Sequence, residues 1–354
     1  MSSVREADQN AAAIGSTGRQ YNNYSRPWWR RTLLSREAAV IAAVVVVWLV
    51  AMYTVPYFGG STTLDFTLLD ATPILMIALP MTFIIVTGEI DLSVASTLGL
   101  SSVTLGLLVQ AHVPIVPAML VCLVVGLVAG AINGFLVTVI GLPSIAVTIG
   151  TLALYRGIAV GLLGTKAITT FPAFWEGLAQ NMIGTSGIPE VIILVIVLIL
   201  IFGVILHFTS FGRGLFALGL SKDASLFSGI KVGRSKFVAF LLSGLVSALA
   251  GIDWTLRYGE ARGDNGTGLE LSVIAAVLLG GVSIFGGKGA LPGVLGGVLL
   301  IGVLDNALQL AGVSSDAISV VTGVVLILSV VAPQVLSQIR DRRAVRLHQR
   351  ASAS

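Results

Sequence analysis

The chain has 354 residues, of which 55% are hydrophobic and only 11% are Asp, Glu, Lys or Arg. An ordinary soluble domain carries about 25% charged residues, so a soluble enzyme of one or two domains would lack the charge to cover its surface, and disorder, which needs low hydrophobicity and high charge, is excluded too. The composition leaves an all-α, polytopic membrane protein.

The formal net charge of +4 does not point to nucleic acid. A nucleic-acid footprint needs a folded polar domain to sit on, and the cations here are clumped. Residues 1–37 hold six Arg, 209–236 hold five Lys or Arg, and five Arg follow Gln338. Such clumps mark the cytoplasmic side of membrane proteins. The expected contact surface is therefore membrane lipid.

Residues 1–37 read as a cytoplasmic basic tail. It ends in a collar of Arg26, Arg30, Arg31 and Arg36, with Trp28 and Trp29 at headgroup depth. A membrane-spanning helix needs about 20 apolar residues. The apolar runs predict spans near 38–58, 68–87, 91–111, 114–140, 143–163, 189–208, 237–257, 271–285, 290–311 and 316–338. An even number of spans starting inside returns the C-terminus to the inside. The transmembrane domain is thus expected over 38–338, interrupted by a cytoplasmic loop at 209–236, and a second basic cytoplasmic tail over 339–354.

In chain order, the first polar interruption is Thr87-Gly88-Glu89-Ile90-Asp91-Leu92-Ser93. Irregular backbone at membrane depth survives only when buried in protein or lining water. Glu89 and Asp91 either line a vestibule or shape a turn in which Asp91 caps the next span. Asn133, in the fourth span, either lines the path or bonds to a neighbouring helix. Arg156, in the fifth, is either functional or snorkels to the interface. In the ninth span Asp305, Asn306 and Gln309 stand at i, i+1 and i+4, which predicts one polar face. It should front a pathway or another helix, because polar groups are expensive in lipid. Gly293 and Gly297 form a small-residue pair, read as in-chain helix packing before a dimer seam.

Catalytic and metal chemistry find little support. Residues 282–289 loosely echo a phosphate-binding loop, but Val282 and Gly289 fail the pattern G-x-x-x-x-G-K-[ST]. His112, His207 and His348 are far apart, and Cys122 is the lone cysteine, so no metal site is expected. No nucleophile–base pair or paired carboxylates stand out, so no catalysis is expected. Within the 209–236 loop, Asp223, Ala224, Ser225, Leu226, Phe227, Ser228 and Gly229 can form a short helix with Asp223 near its start and Gly229 as its stop. Leu226 and Phe227, rimmed by basic residues, mark either a docking tip or a helix on the membrane surface.

Four strings together resemble one family: TGEIDLSVAS at 87–96, INGFLVTVIGLPSIAVTIGTLALYRG at 132–157, TSFGRGLFALGLSKDASLFSGIKV at 209–232 and GLELSVIAAVLLGGVSIFGGKGALPG at 268–293. Asn306 and LAGVS at 310–314 follow in the expected place. The chain is similar, from about 40 to 335, to the permease subunits of sugar-type (ribose, xylose, galactose) ABC importers. That resemblance implies a bundle of about ten helices working as a pair, with a second copy or a paralogue. It implies ATPase subunits docking on the Asp223–Gly229 segment, an extracytoplasmic solute-binding protein, and a bacterial cytoplasmic membrane. ATP would be bound by the partner, so no cofactor is expected on this chain. The chain departs from the family pattern at Glu89 and Ala95, where glycine is usual, and at Ser225, where alanine is usual. The run from Leu64 through Pro117 looks closest to autoinducer-2 and rhamnose import permeases. Candidate solutes are therefore rhamnose, a ribose-type monosaccharide and autoinducer-2. The alternative is a stand-alone secondary transporter of a small polar solute.

Overall fold

The structure, a computed structural model, describes residues 36–60, 62–184 and 188–351. The collar residues Arg26, Trp28, Trp29, Arg30 and Arg31 lie outside the described residues. Thirteen helices occur among the described residues: α1 (Arg36–Thr54), α2 (Thr63–Val86), α3 (Val94–Gln110), α4 (Ile115–Phe135, prolonged by a π-turn at Leu136–Ile140), α5 (Ser144–Leu163), α6 (Ala173–Gln180), α7 (Ile192–Phe208), α8 (Ser210–Leu220), α9 (Lys222–Phe227), α10 (Val232–Tyr258), α11 (Leu269–Leu279), α12 (Leu291–Leu310) and α13 (Ser315–Ala351). No strand occurs among the described residues, only the isolated bridges Ile168–Ala261 and Met182–Pro189.

The protein is all-α and polytopic. Among the described residues five helices are long and apolar enough to cross a bilayer, α7 and α8 reach that length together across a bend, and four shorter apolar helices accompany them. The ten expected spans match these elements in number and order. α2 is the axis of the bundle. Beyond Asp70 it carries no charge, and every residue from Met76 to Val86 is buried, as expected for a helix segment with no polar stripe to offer solvent.

Glycines set the helix spacing. A Cβ added at Gly126 or Gly130 of α4 would stand 2.4 Å from the carbonyl oxygen of Gly244 or Phe240 on α10. In lipid the hydrophobic effect does not drive helices together, so close backbone approach supplies the attraction through dispersion. Gly297 works in the same way: a Cβ there would meet the Ala276 carbonyl oxygen of α11 at 2.0 Å. The Gly293–Gly297 pair therefore packs within the chain.

Two expectations need correction. The segment 209–236 is mostly helix rather than loop. Thr209 accepts a bond from the Gly212 amide (3.2 Å) and caps α8, which leaves α7 at 65°. Gly212, Gly214, Leu215 and Leu218 of α8 are buried, while Arg213 faces out. One exposed cation masked an apolar face. α10 starts at Val232, so the exposed connection shrinks to 221–231. The expected span 271–285 is also shorter: α11 has 11 residues, rising about 16 Å, or half of a ~30 Å hydrocarbon core. Residues 280–290 continue as irregular backbone.

Candidate functional site

A cavity of about 530 Å³ opens at the end of the bundle where α10 terminates. Trp254 and Tyr258 of α10 form one wall, with ring centroids 4.9 Å apart and planes inclined by 46°. Hydroxyls from Thr267, Ser272, Ser315, Ser319 and Thr322 line it from the 259–268 connection, α11 and α13. Asp70, Glu260, Arg262, Asp264, Asn265, Asp305 and Gln309 add further polar lining. Arg257 stands behind the aromatic wall. It pairs with Asp70, donates to the Leu69 carbonyl, and lies 4.8 Å from the Tyr258 ring centroid. At the exposed lip Arg262 donates to both oxygens of Asp264 (2.9 and 3.0 Å). That guanidinium holds the Asp264 carboxyl below the usual carboxylate range. Asp305 differs from these paired groups, because its buried Oδ1 has no hydrogen-bond partner.

The 259–268 connection is pinned from below. Arg156 donates to the carbonyls of Gly263 (2.8 Å), Asn265 (2.7 Å) and Ala95 (3.2 Å). Gly99 leaves room for it, since a Cβ there would sit 2.6 Å from the guanidinium. The Asn265 amide donates to the Ser102 hydroxyl at 2.9 Å. These bonds satisfy loop carbonyls that would otherwise be buried without donors.

The opposite end of the bundle is shut. The Gly287 amide donates to the Val86 carbonyl at 2.8 Å. A Cβ at Gly219 of α8 would meet Val86 O at 2.0 Å and Gly287 N at 2.2 Å. Three backbones thus touch where α2 ends. The chain then turns through Gly88, in the left-handed region at φ 80°, into a buried polar knot. Asp91 accepts from the Ser93 amide (2.9 Å), the Ser93 hydroxyl (2.7 Å) and the Ser243 hydroxyl (2.8 Å). Asn133 Nδ2 donates to Ser93 Oγ at 2.7 Å. The Ile90 amide donates to Ser144 Oγ at 3.2 Å. Glu89 forms an ion pair with Lys236 of α10. Beyond this end lies α9, capped by Ser221, whose hydroxyl accepts from the Ala224 amide at 3.3 Å. Ser225 is buried, whereas Leu226 is 52% and Phe227 93% exposed.

A family described as "Branched-chain amino acid transport system / permease component" matches residues 63–330, which takes in both the cavity and the shut end. The chain belongs to that family. Similar curated proteins include the autoinducer 2 import system permease protein LsrD of Escherichia coli (strain K12) and of Shigella flexneri, each 35% identical over 302 residues, covering 83% of this chain and 91% of the relative. The Photorhabdus luminescens protein of the same name is 35% identical over 275 residues, covering 75% of this chain and 82% of the relative. No solved structure matches.

The residues that the sequence singled out in this permease divide between the two ends. Asp305 and Gln309 line the cavity, but Asn306, one position on, is buried elsewhere. Consecutive helical residues point about 100° apart, so Asn306 is buried against protein while Asp305 and Gln309 reach the cavity. Asp91 and Asn133 belong to the polar knot, and Glu89 to its ion pair with Lys236. Arg156 does not snorkel, because it braces the cavity lip. Cys122 is buried, with its thiol 3.4 Å from the Ser101 carbonyl. No metal-holding group of His, Cys, Asp and Glu occurs among the described residues. Sequence reading missed Asp70, Trp254, Arg257 and Tyr258. Asp253 and Arg257, four apart inside an apolar run, were the available signal.

Proposed function

We propose that this permease is the transmembrane subunit of an ATP-driven ABC importer carrying a neutral, polyhydroxylated solute, with a ribose- or rhamnose-type sugar and autoinducer-2 as candidates. The 35% identity to LsrD over most of the chain carries this reading. The cavity suits it chemically. A sugar presents apolar C–H faces to aromatic rings and hydroxyls to carboxylates, amides and hydroxyls, and all of these line the wall at Trp254, Tyr258, Asp305, Gln309 and Ser319. The pathway runs past Asp305 and Gln309 toward the shut end, where Glu89, Asp91 and Asn133 position the backbone that must move, while Arg156 braces the lip of the cavity.

Two ATPase subunits dock on the exposed 221–231 connection, one on each permease of a pair formed with a second copy or a paralogue. An extracytoplasmic solute-binding protein delivers solute to the cavity end. Both termini then lie in the cytoplasm of a bacterial cell, and the protein sits in the cytoplasmic membrane. The permease has no catalysis and no cofactor of its own, and ATP is bound by the partner.

Uptake of labelled ribose, rhamnose, autoinducer-2 and leucine by cells expressing the whole transport system tests this. One of the first three should accumulate, and inactivating the ATPase should stop it. Uptake that survives loss of the ATPase would make the protein a stand-alone transporter. Uptake of leucine alone would overturn the solute class.

A further inference from the structure

We propose that the Glu89–Lys236 ion pair is the positioning link that carries movement of the docking connection into the helix break at 87–93. This rests on the reading that ATPase subunits dock on 221–231. Lys236 is the fifth residue of α10, nine residues after Phe227 at the exposed tip of α9. The neighbouring cations Arg213, Lys222, Lys231 and Arg234 are all exposed. Lys236 instead turns inward, and its side chain is only 13% exposed. Its partner Glu89 sits in the irregular backbone between α2 and α3, three residues after the Val86 carbonyl that takes part in the shut contact.

The other ties between this break and its surroundings are neutral-donor hydrogen bonds, such as Ser243 to Asp91. These weaken steeply once the donor and acceptor separate or misalign. Attraction between opposite charges falls only as the inverse of distance. A charge pair can therefore keep pulling on the break through a displacement that parts the hydrogen bonds. The pair joins the start of α10 to the irregular backbone between α2 and α3, so it sits at the end of the bundle rather than in its apolar core.

The test uses the complete permease–ATPase complex with its binding protein in proteoliposomes, scoring solute transported per ATP hydrolysed. Glu89→Gln and Lys236→Met should leave ATPase association and ATP hydrolysis within about twofold of wild type. They should lower the transport-to-hydrolysis ratio by roughly threefold or more, about 0.7 kcal/mol at 1.4 kcal/mol per tenfold. Lys236→Arg should retain the ratio, and the swap Glu89→Lys with Lys236→Glu should recover most of it. Glu89→Gln is nearly isosteric and carries the test should Lys236→Met reduce abundance. A wild-type ratio in Glu89→Gln, or a swap no better than either single charge reversal, would overturn the proposal while leaving the importer reading intact. A wild-type complex that shows no ATP-driven uptake would overturn both.

Discussion

The two ends of the bundle solve the same problem in opposite ways. At the shut end, backbone meets backbone through Gly219, Val86 and Gly287, and the buried Asp91 receives three donors. At the cavity end, side chains form the walls, and Asp305 keeps a buried oxygen without a partner. Glycine contact excludes even a methyl group, so it seals. Side-chain walls leave room, and their polar atoms stay available to a ligand. A buried polar atom without a partner is costly and is retained only where something offsets the cost. Satisfaction alone does not separate the ends, because Asn133 Oδ1 in the shut-end knot is also buried without a partner; what separates them is backbone contact at one end and side-chain walls at the other.

The sharpest way to break this comparison lies just beyond the shut end. Leu226→Asp with Phe227→Asp should weaken ATPase association by roughly 10²-fold or more, since burying each side chain is worth about 1.5–3 kcal/mol. Membrane insertion should persist, because both residues are exposed. Co-purification of the two subunits measures the effect, and normal assembly would remove this end's link to the ATPase.

Asp91→Ala strips the acceptor from three buried donors. At about 1–3 kcal/mol for a group left unsatisfied, it should destabilise the protein by ~3 kcal/mol, read as a lower unfolding temperature in detergent. Gly219→Val tests the seal itself. Overpacking costs about 1–3 kcal/mol, and relief by opening the shut end should appear as raised thiol labelling of a cysteine placed at Gly88. A variant as stable and as closed as wild type would show that the contact is looser than described.

At the cavity end the effects should fall on uptake rather than stability. Trp254→Ala should cut uptake about tenfold, the equivalent of one aromatic contact worth ~1.4 kcal/mol, with normal membrane abundance. Loss of abundance instead would make Trp254 part of the core. The smallest effect belongs to the exposed lip pair. Asp264 has its pKa lowered from 3.8, so any stability from the pair is complete above that value and is lost only as pH falls below it. Asp264→Asn should therefore leave the unfolding temperature at pH 7 unchanged within error, and a clear drop would mean that the lip is packed.

Much of the fold was legible because hydropathy reports directly on length of burial. The expected span 143–163 and the helix Ser144–Leu163 differ by one residue. The expected stop at Gly229 holds as well, with φ 77° closing α9. Errors arose where a polar residue sits on an apolar helix, as Arg213 does on α8, and where an apolar run continues into irregular backbone, as at 280–290.

The sequence by itself determined the class of protein, the order of its apolar helices, and the exposed tip of α9. Each follows from local composition, because a chain in lipid must satisfy its backbone within each helix. Only the tertiary structure decided what the polar residues do. Arg156 reaches carbonyls more than 100 positions away, Asp91 is held by Ser243, and Trp254 meets Asp305 across a cavity. A polar group in an apolar helix announces that it needs a partner. Which partner it finds depends on how the glycine-spaced helices cross, and no local pattern encodes that.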